Sequence, residues 1–68
     1  MILAADERRL FILYHSGSAA ETTGIVREAL ADITDPDDNA AAGRLLLKLE
    51  SMSGAEFDSI DPESGVLL

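Results

Sequence analysis

This chain contains no cysteine and has no long run of apolar residues. Without cysteine, neither a disulfide nor a thiolate metal site can hold the fold together, which fits a reducing compartment. No segment approaches the roughly 20 apolar residues that a membrane-spanning helix needs. The opening "MILAA" lacks basic residues and meets the charged "DERR" at once, so we expect no signal peptide and a cytoplasmic protein.

Basic residues are also scarce. Five Lys and Arg stand against 13 Asp and Glu, which gives a formal net charge of −8. Nucleic-acid binders need basic side chains to displace counterions from phosphate, so direct DNA or RNA binding is disfavoured. An acidic surface suits solubility, a basic protein partner or imitation of DNA. A nucleic-acid surface would have to use the few bases that are present, which are Arg8, Arg9, Arg27, Arg44 and Lys48.

What the chain does contain is enough apolar material for one small domain. Its 68 residues are 47% apolar, too high a fraction for a disordered segment. A domain of this size buries only about 60% of the surface that its unfolded chain exposes, so we expect modest stability. Residues 1–61 are predicted to form a single helical domain, and residues 62–68, which lack hydrophobic period, a flexible tail.

The first two helices are indicated by apolar spacing and by their end residues. A helix is predicted from about Asp6 to Ser16, ended by Gly17 in the left-handed conformation. A second helix begins at "SAAE", where Ser18 is the N-cap and the glutamate three residues on has the capping-box spacing. Its apolar period ends near Ile33.

The stretch "TDPDDNAAAGR", residues 34–44, has two interpretations. Its alternating oxygen-bearing side chains resemble the start of a calcium loop. An EF-hand loop, however, needs Gly at its sixth position and Glu at its twelfth, and counting from Asp35 finds alanine and leucine there. The alternative is a helix that Asp35 caps and Pro36 opens. We therefore predict a third helix from Pro36 to about Met52 and no metal site.

A short fourth helix should follow, because "SGAE" from Ser53 repeats the capping-box spacing. The fold class is thus all-α, a small three-helix bundle with a short fourth helical turn near the C-terminus. Gly24 and Gly43 are expected to let helices pack closely, although a groove for a partner helix is the alternative. Arg44 and Lys48 should face outward. The predicted core is Leu10, Leu13, Tyr14, Val26, Leu30, Ile33, Leu45, Leu46, Leu49 and Phe57.

An enzyme is not expected. His15, Ser16 and Ser18 are neighbours in sequence, but adjacent helix residues point in different directions, so they do not indicate a hydrolase triad. So small a bundle has little room for a pocket of about 300 to 1,000 Å³. Dinucleotide, phosphate-loop and zinc-ligand motifs are absent, so no catalytic residues and no cofactor are predicted.

Two segments resemble a known family. "DERRLFILYHSGSAAETTGIVREAL" and, after a short acidic connector, "LLLKLESMSGAEFDSID" are similar to the transposon-transfer assisting proteins. These are small bacterial proteins, largely clostridial, associated with conjugative transposons. The resemblance spans about residues 6 to 61 and implies a compact, all-helical protein encoded on a mobile element. It brings no active-site residues, and the short connector and the terminal "GVLL" depart from the family pattern.

The resemblance and the missing active site together predict a non-enzymatic accessory protein that binds another protein during transfer of a mobile element. Its partner-binding residues should be apolar side chains that lie off the main helix stripes, namely Phe11, Ile12 and Leu47. The same residues could close a homodimer. Two alternatives stay open at this point: an acidic DNA mimic that occupies a basic DNA-binding partner, and direct nucleic-acid binding through the basic residues.

Overall fold

The protein, seen in a computed structural model that describes residues 3–61 and Glu63, is built from helices. No β-strand forms within this described part, apart from an isolated bridge position at Ile60, so the all-α prediction is confirmed. No helix found there is both long enough and apolar enough to cross a membrane. The predicted tail, residues 62–68, lies outside the described residues except for Glu63. The helices are α1 (Ala5–Tyr14), α2 (Ala19–Leu30), α3 (Pro36–Ser51) and α4 (Gly54–Asp58).

Three helices begin with the capping side chains that the sequence predicts. The cap bonds run from the N–H groups of Glu21, Asp37 and Glu56 to the side chains of Ser18, Asp35 and Ser53, each at 3.1 Å. Such a cap contributes about 1 kcal/mol to a helix. Asp35 is therefore a helix cap, as predicted. The capping box is complete only at α4, because the Glu21 carboxylate instead accepts a hydrogen bond from the Ser16 hydroxyl at 2.9 Å.

Two helices end earlier than predicted. α1 stops at Tyr14, and Gly17 does not adopt the left-handed conformation expected of it. The chain leaves α1 in extended backbone at His15. α2 stops at Leu30, where the Asn39 side-chain amide donates to the Leu30 carbonyl at 3.1 Å. A side chain from the next helix thus satisfies a terminal carbonyl, which lets the helix end before its apolar period does.

The core lies where α3 packs along both α1 and α2, while α1 and α2 touch each other much less. Nine of the ten predicted core residues contribute to it, five fully buried and four partly buried. Leu13 is the exception, because its side chain is 69% exposed. The buried apolar residues are Leu3, Leu10, Phe11, Val26, Ala41, Ala42, Leu45, Leu49, Phe57 and Ile60.

The error at Leu13 comes from a charged residue in the apolar stripe of α1. The inward face of this helix runs through Glu7, Leu10, Phe11 and Tyr14, with the spacing of three and four residues that marks one helix face. Glu7 is buried, but a carboxylate counts as polar when apolar spacing is read from the sequence. The apolar stripe is therefore assigned to begin one turn later, at Leu10. A stripe that begins at Leu10 assigns Leu13 to the core and leaves Phe11 outside it, the reverse of what the structure shows.

No other described part of the protein packs closely against Gly24 or Gly43, so the prediction that these glycines serve close helix packing was wrong. A Cβ added at either position would meet no atom within 4 Å outside its own helix. Both lie inside helices, where glycine is less favourable than alanine by roughly 0.5 to 1 kcal/mol.

Replacing Gly24 and Gly43 with alanine should therefore stabilise the protein. Gly24→Ala and Gly43→Ala should each raise the free energy of unfolding by about 0.5 to 1 kcal/mol, because alanine restricts the unfolded chain and favours the helix. Thermal melting followed by circular dichroism should show a rise of several degrees for the double variant. Gly17→Ala, outside the helices, is the control that lacks this gain. A lower melting temperature for either helix variant would mean that a neighbour closes on the glycine.

Candidate partner-binding surface

The described residues leave four large apolar side chains exposed: Ile12, Leu13, Ile25 and Leu47. Ile12 and Leu47 are 42% and 69% exposed, as expected for residues that the core does not need. Phe11 was predicted to join them, but it is completely buried, so its assignment as a surface residue was wrong. Only Ile12 and Leu13 are neighbours in the chain, which makes α1 the helix with the most concentrated apolar surface.

Ile12 and Leu13 line a groove of about 430 Å³, here named the α1 groove, together with Arg9, Leu10 and Asp38. Four of these five residues belong to α1, and Asp38 lies in the first turn of α3. Leu10 is buried and forms the floor. The volume of the α1 groove falls within the range of about 300 to 1,000 Å³ seen for ligand pockets, so the chain has more room for a pocket than the sequence predicted. With almost all of its lining on one helix, the groove is nevertheless open to one side.

An ion pair marks the edge of this groove. Arg9 Nη2 lies 2.6 Å from Asp38 Oδ1 and connects α1 to the start of α3. The Arg9 side chain is 66% exposed and the Asp38 side chain 39%, and a solvent-accessible pair of this kind contributes about 0 to 1 kcal/mol. The pair therefore shapes the rim of the groove more than it stabilises the fold.

A second charged cluster, the Glu7 cluster of Glu7, Arg44 and Lys48, joins α1 to α3. Its carboxylate is buried, whereas the Arg44 and Lys48 side chains are 49% and 29% exposed. Arg44 Nε donates to Glu7 Oε2 at 2.8 Å, and Lys48 Nζ binds Glu7 Oε1. The Ala4 N–H also donates to Glu7 Oε1, at 3.0 Å. Burial alone raises the pKa of Glu7, but the hydrogen bonds from Lys48, Arg44 and Ala4 outweigh it and lower the pKa from 4.5 to about 2.

Arg44 and Lys48 were expected to face outward, and Arg44 is indeed exposed, but the expectation missed their pairing with Glu7. Both basic groups turn toward the buried carboxylate, and Arg44 also lies 2.7 Å from Asp6 Oδ2. The Glu7 carboxylate in turn raises the pKa of Arg44. These charges join two helices, so the cluster has a structural role.

The remaining basic residues are also engaged. Arg27 Nη2 lies 3.7 Å from Glu50 Oε2, and Arg8 Nη1 donates to the Leu3 carbonyl at 3.1 Å. Nucleic-acid binding through the five bases thus finds little support in their arrangement, because four of them are already held by carboxylates. The described carboxylates with no basic partner in an ion pair are Glu21, Glu28, Asp32, Asp35, Asp37, Glu56, Asp58 and Glu63.

His15 packs against aromatic rings. Its ring is stacked on Phe57 with centroids 5.4 Å apart and contacts Phe11 at 5.2 Å. Ser16, the neighbour that a hydrolase triad would use, donates its hydroxyl to the Glu21 carboxylate. In the described part of the chain, no group of three or more His, Cys, Asp or Glu is placed to hold a metal. The His15 ring is thus held by aromatic contacts and the Ser16 hydroxyl by Glu21.

Of the five residues that line the α1 groove, the sequence predicted only Ile12 as part of a binding surface. Leu13 was assigned to the core, and Arg9 was considered only as a nucleic-acid contact. Arg9, Ile12 and Leu13 are spaced by three and four residues, a signal of a shared helix face that was available in the sequence. Leu47, in contrast, lies on α3 and does not line the groove.

Comparison of the chain with protein-family models, with curated proteins and with solved structures finds no match in any of the three. The resemblance to the transposon-transfer assisting proteins therefore remains an expectation drawn from the sequence segments alone.

Proposed function

We propose that this protein is a non-enzymatic accessory protein that binds another protein in the cytoplasm during transfer of a conjugative mobile element. The observation that carries the binding role is the apolar surface of α1, where Ile12 and Leu13 are exposed side by side along a groove. Contiguous exposed apolar surface next to a groove is typical of an interaction site. The process, transfer of a mobile element, is supported by the sequence resemblance.

The polar groups of the α1 groove suit binding better than catalysis. A reaction site needs a nucleophile, base or acid directed at one point where a reacting atom can sit. The groove contributes only Arg9 and Asp38, and these bind each other at 2.6 Å. Their charges are satisfied at the rim, which leaves an apolar floor and wall for a partner.

Affinity capture tests this function. A tagged protein should capture a specific protein partner from cells that carry the element, as identified by mass spectrometry. Capture should fall at least about tenfold for the triple variant Ile12→Ser, Leu13→Ser and Leu47→Ser, which removes exposed apolar contacts. Because all three side chains are exposed, circular dichroism should show the variant still folded. The single variant Ile25→Ser is the control for exposed apolar surface on α2.

A gel-shift assay at physiological salt should accompany the capture. Tight, salt-sensitive DNA binding by the protein, without any captured protein, would replace the accessory role with direct DNA binding. Equal capture by the wild type and the triple variant would show that the exposed apolar residues take no part.

A second candidate function, imitation of DNA, is favoured by one observation. Glu28, Asp32, Asp35 and Asp37 are exposed around the connection from α2 to α3 and have no basic partner. A row of carboxylates can occupy the phosphate-binding surface of a DNA-binding protein. In that case duplex DNA would compete with this protein for the captured partner, whereas the accessory role predicts no competition.

A further inference from the structure

We propose that the α1 groove receives an amphipathic helix that carries basic residues beside its apolar face. This inference rests on the proposed binding function and goes beyond it by naming the structure and the charge of the occupant. It follows from the one-sided shape of the groove, from the spacing of its lining residues and from the charges around it.

The shape of the groove favours a helix over other occupants. Arg9, Ile12 and Leu13 form a ridge along α1, and a helix of ten residues is about 15 Å long, enough for three turns of a partner helix to pack alongside. A small molecule would need enclosure on several sides, which a groove lined almost wholly by one helix does not provide. Addition of a strand would need the exposed edge of a sheet, and the described residues form no sheet.

The apolar part of the occupant follows from the lining. Ile12 and Leu13 are exposed above the buried Leu10, so a partner helix can bury leucine- or isoleucine-like side chains against them. Anchors spaced by three and four residues would follow the ridge on α1. An interface on a domain this small should be below the standard size of about 1,200 to 2,000 Å², so we expect reversible binding.

The charge of the occupant follows from the carboxylates next to the groove. Asp38 lines it but is paired with Arg9, so the available charges are those of Asp37 and Asp35, which come just before Asp38 at the start of α3 and are exposed without a basic partner. The net charge of −8 also makes a second copy of this chain an unfavourable occupant, because two acidic surfaces would repel. Lysine or arginine beside the apolar face of the occupant would instead be attracted.

A synthetic peptide tests the proposal directly. The probe is a helix-forming peptide of about 18 residues with leucine at positions i, i+3, i+4 and i+7 and lysine on its polar face. Fluorescence anisotropy with the full chain should show saturable binding that weakens as salt rises from about 0.05 to 0.5 M. Amide chemical shifts in the ¹⁵N-labelled protein should change most around Arg9 to Leu13 and Asp38.

The chain offers a matched pair of variants. Leu13 and Leu47 are both 69% exposed, but only Leu13 lines the groove. Leu13→Ser should weaken peptide binding at least about tenfold, and Leu47→Ser should leave it within about twofold of wild type. Asp37→Asn, at the chain neighbour of the groove residue Asp38, should reduce the salt dependence more than Asp58→Asn, an exposed carboxylate on α4 that is not among the groove residues.

Several results would overturn the proposal. Equal loss in Leu13→Ser and Leu47→Ser would show that the probe is not localised to the groove, and equal binding of a peptide with scrambled leucine positions would show that charge alone attracts it. A wild-type dimer in sedimentation that Leu13→Ser converts to monomer would assign the groove to a second copy. Capture of the cellular partner by Leu13→Ser but not by Leu47→Ser would support the accessory role but refute the proposal that the groove is the binding site. If the wild type captures no protein, the accessory role is refuted. The peptide comparison still tests whether the groove binds a basic amphipathic helix.

Discussion

Phe11→Ala should remove most of the protein's stability and leave a large unfolded fraction at 25 °C. Phe11 is completely buried, and its ring packs against His15 and Phe57 at centroid distances of 5.2 and 5.8 Å. Truncating a buried phenylalanine costs about 3 to 5 kcal/mol, because the apolar contacts are lost and a cavity remains. A domain of this size is stable by only roughly 3 to 10 kcal/mol in total. Urea denaturation followed by circular dichroism measures the loss.

Leu13→Ala is the matched control on the same helix. Leu13 is two residues away and 69% exposed, so its truncation should change the free energy of unfolding by less than about 0.5 kcal/mol. The pair thus tests the inward face of α1 directly. Similar losses in the two variants, or a larger loss for Leu13→Ala, would show that α1 is rotated from the orientation described.

Acid should weaken the protein through Glu7. The pKa of Glu7 is lowered to about 2 in the folded protein, against an ordinary 4.5 for a glutamate in an unfolded chain. A lowered pKa contributes stability that is fully present above pH 4.5 and is lost as pH falls toward 2. The shift corresponds to about 3 kcal/mol. Urea denaturation repeated across this pH range should show that loss.

Glu7→Gln should remove this dependence while lowering stability at neutral pH. The substitution removes the buried counter-charge of Arg44 and Lys48. Breaking a fully buried pair costs about 3 to 5 kcal/mol, and the loss here should be smaller, because both basic groups are partly exposed and Arg44 keeps Asp6 as a partner. Placing the variant in the background with alanine at Gly24 and Gly43 should keep enough folded protein for measurement. Between pH 4.5 and 2, its stability should fall by about 3 kcal/mol less than that of the matched background.

Two further variants separate the charge effect from other causes. Glu28→Gln removes an exposed carboxylate without a basic partner and should not alter the acid loss. Glu7→Leu combined with Arg44→Met and Lys48→Met replaces the three charged side chains with apolar ones, so it removes the carboxylate without leaving a basic group that has lost it. If Glu7→Gln and its background lose stability in parallel as pH falls, Glu7 does not carry the acid effect.

The starts of α2, α3 and α4 and the all-α class could be predicted because their causes are local. Ser18, Asp35 and Ser53 cap the backbone N–H groups two or three residues ahead of them, so a short sequence window contains the information. The rejection of a calcium-loop start at Asp35 depended on the same local logic, since the side chain accepts from the Asp37 N–H. Helix ends were less predictable, because Asn39 of α3 reaches back to the Leu30 carbonyl.

The inward face of α1 and the candidate surface were decided only by the tertiary structure. Periodicity treats a glutamate as polar, yet Glu7 is buried because Arg44 and Lys48, 37 and 41 residues away, supply the charges that make its burial tolerable. That long-range pairing orients α1 so that Phe11 lies in the core and Leu13 lies at the groove. The sequence by itself determined where helices form and that their surface is acidic. The side of α1 that faces the core depended on the pairing of charges between helices. A short stretch of sequence does not contain that information.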